Sequence, residues 1–104
     1  MPNLEVGGRS VPLTDDGYLE TFEDWSEDVA NMLAKEEGID LTDDHWKVIH
    51  TLQDWYKEKG ELPTLRRLAK ESGFKTKVLY DLFPSRPLKR AARIAGLPKP
   101  SGCG

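Results

Sequence analysis

Cysteine is nearly absent from this chain, with one residue, Cys103, among 104. An internal disulfide is therefore excluded, and a secreted, disulfide-stabilised scaffold is not expected. The two histidines, His45 and His50, lie five residues apart, which places them about 140° apart around a helix. One cysteine and two diverging histidines make no zinc-binding pattern. We expect neither a metal nor a cofactor.

Long apolar runs are also missing. No segment approaches the roughly 18 apolar residues of a transmembrane helix, and Met1–Glu5 lacks the basic and apolar stretches of a signal peptide. No glycine-rich phosphate loop is present, since Gly7-Gly8 is too short. Together with the unpaired thiol, these absences predict a cytoplasmic protein without a membrane partner.

Charge is distributed unevenly along the chain. Residues 1–60 hold 15 acidic and 5 basic side chains, a balance of −10, whereas residues 61–104 hold 3 acidic and 10 basic ones, a balance of +7. A basic half that carries the only thiol favours anionic partners or an acidic protein surface. The alternative is that the two halves neutralise each other within the fold.

Turn and cap residues divide the chain into short elements. Gly7-Gly8 between two extended runs predicts an N-terminal β-hairpin. Caps and glycine stops then predict five helices: from between Thr21 and Ser26 to Gly38, Thr42 to Lys59, Thr64 to Gly73, Thr76 to Phe83, and Ser85 or Arg86 to about Ala95. We predict a mainly α fold, a small five-helix orthogonal bundle forming one domain over residues 1–96, followed by a flexible C-terminal arm over residues 97–104.

The three tryptophans follow the helical apolar pattern of the first two helices. Trp25 shares a 3.6-residue period with Val29 and Leu33, while Trp46 and Trp55 lie on the stripe of the long second helix. We expect all three to be core residues.

Residues 65–80 resemble a helix-turn-helix, with Gly73 in the turn. In this interpretation Lys75, Thr76 and Lys77 begin the recognition helix and contact nucleic acid, with Tyr80 as a further candidate. The many carboxylates of the first half oppose phosphate binding. DNA binding therefore remains an alternative function.

The segment around the thiol has the composition of a reaching arm. Pro98 and Pro100 favour an extended chain, and Gly102 and Gly104 leave Cys103 without bulky neighbours. The seven residues from Gly96 to Cys103 reach roughly 20 Å at about 3.1 Å per residue. We predict that Cys103 is the reactive residue and that it enters a crevice of a partner.

Basic side chains accompany this arm, and we predict that they dock the partner. Nearby cations favour a thiolate, whereas the terminal carboxylate opposes it. The predicted docking residues are Arg86, Lys89, Arg90, Arg93 and Lys99.

Two segments carry a resemblance to a known family. Residues 80–87, YDLFPSRP, and residues 91–103, AARIAGLPKPSGC, closely resemble the C-terminus of the DsrC/TusE sulfur-carrier family. The groups Gly17–Leu19, Trp25–Glu27 and Glu37–Ile39, then Leu41 and His45-Trp46, are similar to its N-terminal half in order and spacing. The likeness covers almost the whole chain.

The resemblance implies that Cys103 carries sulfur as a persulfide. Family members with a second cysteine, at the position of Ala92, resemble the partner of dissimilatory sulfite reductase, and the present chain resembles the one-cysteine TusE type. The implied partners are an upstream persulfide-donor sulfurtransferase complex and a downstream enzyme that makes 2-thiouridine in tRNA. A sulfite-reductase-type acceptor or a sulfur-oxidation system is the alternative. The protein would be a stoichiometric carrier without a self-contained active site.

Overall fold

Two short strands precede five helices in the computed structural model, which describes residues 3–100. The elements are β1 (Asn3–Val6), β2 (Arg9–Pro12), α1 (Glu27–Glu36), α2 (Asp43–Lys59), α3 (Leu65–Ser72), α4 (Thr76–Leu82) and α5 (Pro87–Ile94). The predicted mainly α fold with an N-terminal hairpin is confirmed. No helix within this part of the chain is long and apolar enough to span a membrane.

The hairpin pairs β1 and β2 in antiparallel register, with Leu4 opposite Val11. Gly7 and Gly8 both have positive φ, 55° and 83°, which a two-residue turn of type I′ requires. Leu4 and Val11 point to the same face and are buried, and the hairpin packs on α1. The hairpin therefore closes one end of the helical core.

The first helix starts at the last residue of the predicted interval, Thr21 to Ser26. Phe22–Asp24 form a separate 3-10 turn, Trp25 is extended, and Ser26 is the true N-cap because its hydroxyl accepts from Val29 N at 3.2 Å. The placement of Trp25 on a helical face was therefore wrong. The Ser26 hydroxyl accepts from a backbone N–H of the first turn, whereas the Thr21 side chain makes no such capping bond. This difference favours a helix start at Ser26.

The long helix α2 is central and packs against both α3 and α5. Its fully buried side chains include Val48, Ile49 and Leu52. Trp46 and Trp55 flank this face and are only partly buried, so the expectation that they fill the core was too strong. These aliphatic residues belong to the same core cluster as Leu88, Ala91 and Ile94 of α5.

His45 joins the start of α2 to the end of α4. Its Nε2 donates to Leu82 O at 2.8 Å, and its Nδ1 accepts from Thr42 N at 3.1 Å. The ring also packs edge-on against Phe83. Both ring nitrogens are therefore used within the fold, and in residues 3–100 no cluster of three or more potential metal-binding side chains is found.

Candidate functional site

The end of α5 is the point from which the predicted arm departs. Gly96 has φ 76°, and its N–H donates to Arg93 O at 3.2 Å, while Leu97 N donates to Ala92 O at 3.0 Å. This pair of bonds is a Schellman motif, which reverses the chain direction after a helix. The predicted stop at Gly96 is therefore present, and it sets the direction of the residues that follow.

Two side chains from elsewhere in the fold bind the remaining carbonyl groups of this helix end. Trp25 Nε1 donates to Ile94 O at 2.8 Å, and Gln53 Nε2 donates to Ala95 O at 2.8 Å. Ile94 and Ala95 are fully buried, so carbonyls without these donors would be unsatisfied. We call these two donors, Trp25 and Gln53, the arm collar.

The indole of Trp25 also covers Gly96. A Cβ added to Gly96 would lie 2.6 Å from Trp25 Cδ1 and 2.9 Å from Cγ. Only glycine combines the positive φ with this approach. The arm collar therefore fixes the last turn of α5 by hydrogen bonding and by packing.

The basic face of α5 is partly neutralised inside the protein. Arg90 and Arg93 both pair with Glu37, which follows α1, and Arg93 Nη2 also contacts Glu36 at 2.8 Å. Arg93 Nε donates to Gly17 O at 2.8 Å. Carboxylates of the acidic half thus form ion pairs with cations of the basic half. This is the alternative in which the two halves neutralise each other within the fold.

These contacts change the acid–base behaviour of the site. Burial lowers the pKa of Arg93, but hydrogen bonds to Glu36 and Glu37 more than offset it, so its pKa lies above its usual value. The pKa of Tyr18 is raised by burial and then by the charge of Glu37. Both groups keep the charge state that they have at neutral pH, one positive and one uncharged.

An open pocket of about 460 Å³ lies over this cluster. It is lined by Asp16, Tyr18, Glu37, Arg86, Lys89, Arg90 and Arg93. Four cations against two carboxylates leave an excess of two positive charges. Within residues 3–100, Arg86 and Lys89 make no ion pair, so they are the cations available to an anionic group.

The described part of the arm lies against the body. Leu97 is a core residue and Pro100 is buried, whereas Pro98 and Lys99 are exposed. Lys99 Nζ reaches Asp16 at 3.6 Å, beside the pocket. Pro98 and Pro100 border a groove formed with Leu62, Pro63, Leu65 and Leu88. Gly102 and Cys103 lie outside the described residues.

The helix-turn-helix-like segment is present as α3 and α4, separated by Gly73 with φ 81°. Lys75 is the N-cap of α4, and Lys75, Thr76 and Lys77 are all exposed, as is Tyr80. These candidate nucleic-acid contacts lie at the start of α4, whereas most of the predicted partner-docking residues lie on α5. The structure therefore does not bring the two sets into one cluster.

Gln53 is the residue of this site that the sequence pattern did not single out. It lies four residues after Ile49 on the buried face of α2 and is only 5% exposed. A polar residue on an apolar face is a signal that it binds something inside the fold. Its acceptor, Ala95 O, lies 42 residues further along the chain, so the sequence around Gln53 could not identify it.

The fold and the site define a small helical protein whose last helix ends in a turn anchored by Trp25 and Gln53. The family model for DsrC-like proteins matches residues 5–104. The chain is 45% identical to the gamma subunit of dissimilatory-type sulfite reductase from Nitratidesulfovibrio vulgaris Hildenborough, covering 99% of each chain. It is 42% identical to the sulfurtransferase TusE of Yersinia pestis, covering 96% of this chain and 98% of that one.

A solved structure agrees with these sequence matches. The crystal structure of the oxidised gamma subunit of dissimilatory sulfite reductase (DsrC) from Archaeoglobus fulgidus is 41% identical, with a TM-score of 0.86, covering 99% of this chain and all of that one. The chain therefore belongs to the DsrC-like family, and the resemblance stated from its sequence is confirmed.

Proposed function

We propose that the protein is a sulfur carrier that accepts sulfane sulfur on Cys103 and delivers it to a partner enzyme. The observation that carries this proposal is the match to DsrC-like proteins over residues 5–104, a range that includes the only thiol. The anchored end of α5 supports it, because a carrier needs a defined origin for a reaching segment. Residues 97–104 act as that segment, with Leu97 as its attachment to the core.

The chemistry is exchange between a thiolate and a persulfide. The Cys103 thiolate attacks the outer sulfur of a donor R–S–SH, a new S–S bond forms, and the donor leaves as R–S⁻. Cys103 then carries S–SH, and the same exchange in the opposite sense passes the sulfur to an acceptor thiol. In each step one S–S bond forms and one breaks, so there is no net oxidation or reduction and the exchange needs no redox cofactor.

For the acceptor, we favour an enzyme that thiolates tRNA. The relatives include both TusE sulfurtransferases and a sulfite reductase gamma subunit, so names alone are compatible with either class. Ala92, fully buried in α5, occupies the position at which the resemblance places the second cysteine of the sulfite-reductase type. Without that thiol an intramolecular bond to Cys103 is impossible, which favours the one-cysteine relay in a reducing cytoplasm.

For docking, we assign the main contacts to Arg86 and Lys89, with Lys99 at the rim. Arg90 and Arg93 are already bound to Glu37, and they hold the pocket in shape rather than offering free charge. These two cations at the start of α5 line the pocket and make no ion pair within residues 3–100, so they would attract an acidic partner surface and orient it. The upstream partner is a persulfide-bearing sulfurtransferase.

A nucleic-acid-binding regulator remains the second candidate. The exposure of Lys75, Thr76 and Lys77 at the start of α4 favours it. Such binding would fall steeply with salt and would be lost in the Lys75→Glu/Lys77→Glu variant. No binding by the parent protein at low salt would end this hypothesis.

The deciding experiment for the carrier is intact-mass spectrometry after incubation with a persulfide-loaded sulfurtransferase. We expect a gain of about 32 Da on the peptide containing Cys103, reversed by reductant, as persulfidation requires. Cys103→Ser should retain the fold and show no gain. Loading that persists in Cys103→Ser, or no loading of the parent by several donors, would contradict the proposal.

A further inference from the structure

We infer that Trp25 and Gln53, the arm collar, are positioning residues for sulfur transfer: they set the direction in which the arm leaves α5. This inference rests on the proposed carrier function. Each side chain acts through the backbone from which the arm starts.

The first step is the hydrogen-bond inventory at the end of α5. Ala91 O accepts from Ala95 N, and the Schellman bonds satisfy the carbonyls of Ala92 and Arg93. The last two carbonyls, of Ile94 and Ala95, have the arm collar as their donors. All five carbonyl groups are therefore bound, whereas a helix end normally leaves several to water.

The second step is that the collar holds the turn from two sides. Gln53 approaches from the buried face of α2, and Trp25 comes from the segment before α1 and lies over Gly96. Phe22 stacks on the outer side of Trp25, with ring centroids 6.1 Å apart and planes at 5°. Rotation of the turn about the α5 axis would break one of the two side-chain bonds and collide with the indole.

The third step concerns how movement of the end of α5 changes the position of the thiol. A shift of the last turn of α5 displaces residues 97–100, which lie against the body, and with them the point from which the chain continues to Cys103. Reacting sulfur atoms must approach to roughly 3–3.5 Å. A loosely held helix end would therefore distribute the thiol over a volume far larger than the productive one, and transfer between proteins would slow without any change in the thiol itself.

The test separates direction from reactivity. Trp25→Phe keeps an aromatic ring and removes the donor to Ile94 O, and Gln53→Met keeps the length and removes the donor to Ala95 O. Trp55→Phe is the matched control, because Trp55 Nε1 is buried and has no hydrogen-bond partner among residues 3–100. We expect the two collar variants, compared at a temperature where all remain folded, to accept sulfur from a persulfide-loaded sulfurtransferase at least tenfold more slowly. Alkylation of Cys103 by iodoacetamide should stay unchanged, and Trp55→Phe should match the parent in both assays.

A second readout does not depend on sulfur chemistry. A nitroxide attached to Cys103, the only cysteine, broadens the NMR signals of those backbone amides that it approaches. We expect the broadened region to be confined in the parent and in Trp55→Phe, and to spread over more of the surface in Trp25→Phe and Gln53→Met.

Identical broadening in parent and collar variants would overturn the inference, as would equal losses in sulfur transfer and alkylation. A parent that broadens one region but accepts no sulfur would contradict the carrier function and leave the positioning of the arm supported.

Discussion

The two basic regions of this protein have similar composition and opposite environments. On α5, Arg90 and Arg93 are held by Glu36 and Glu37, and Arg93 keeps only 15% of its side-chain surface exposed. On α3 and α4 the cations, among them Lys70, Lys75 and Lys77, are exposed to solvent. Cationic side chains therefore join chain segments in one region and remain solvated in the other, and this difference can be tested by paired substitutions.

The largest expected difference concerns the glycines that end α5 and α3. Gly96→Ala should lower the free energy of unfolding by about 3 kcal/mol, because strain at positive φ adds to the collision with Trp25. In Gly73→Ala the added Cβ meets only Lys47 Nζ at 3.7 Å, so a loss of about 1 kcal/mol is expected. Urea denaturation measures both, and equal losses would refute the assigned packing role of Trp25.

The next difference concerns the carboxylates of the two regions. Glu37→Gln should cost about 2 kcal/mol, because it removes the carboxylate that pairs with Arg90 and one of the two carboxylates that pair with Arg93, and both guanidinium groups are largely buried. The control Glu71→Gln removes an exposed pair with Arg67 at 3.9 Å and should cost less than about 0.5 kcal/mol. A small loss in Glu37→Gln would mean that water replaces the pairing.

Charge reversal compares the two surfaces in function. Arg86→Glu/Lys89→Glu should slow sulfur loading by a persulfide-loaded protein donor by about tenfold at low salt, since it inverts the charge of the two pocket cations that make no ion pair within residues 3–100. Lys75→Glu/Lys77→Glu makes the same change in net charge and should alter loading by less than about twofold. If both variants slowed equally, net charge rather than a docking site would control the encounter.

The smallest effect concerns the alkaline limit of stability. The raised pKa of Tyr18 means that the folded state keeps the phenol protonated where the unfolded state begins to ionise, so stability falls as pH rises above about 10. Tyr18→Phe should cost under about 1 kcal/mol at pH 7, because its hydrogen bond to Lys89 O is long at 3.4 Å. Its unfolding midpoint should decline less between pH 10 and 11. An unchanged alkaline slope would exclude Tyr18 as its source.

Local signals in the sequence predicted the helices well. Thr64 caps α3 with a bond to Arg67 N at 3.1 Å, and Gly60, Gly73 and Gly96 end their helices at positive φ as expected. Trp25 was misassigned because its spacing from Val29 imitates a helical period, while Ser26 competes for the cap. The ring instead faces a backbone carbonyl 69 residues away, which no local pattern reports.

By itself the sequence determined the mainly α class, the ends of most helices and the candidate thiol, because caps, glycines and a unique cysteine act through neighbouring residues. Only the tertiary structure decided which cations are available and what holds the arm. Arg90 and Arg93 form ion pairs with Glu37 and are therefore not free to bind a partner. The carbonyls of Ile94 and Ala95 accept hydrogen bonds from Trp25 and Gln53. The physical reason is that ion pairs and side-chain hydrogen bonds depend on distance in space, and here packing joins residues that lie 42 to 69 positions apart in the chain.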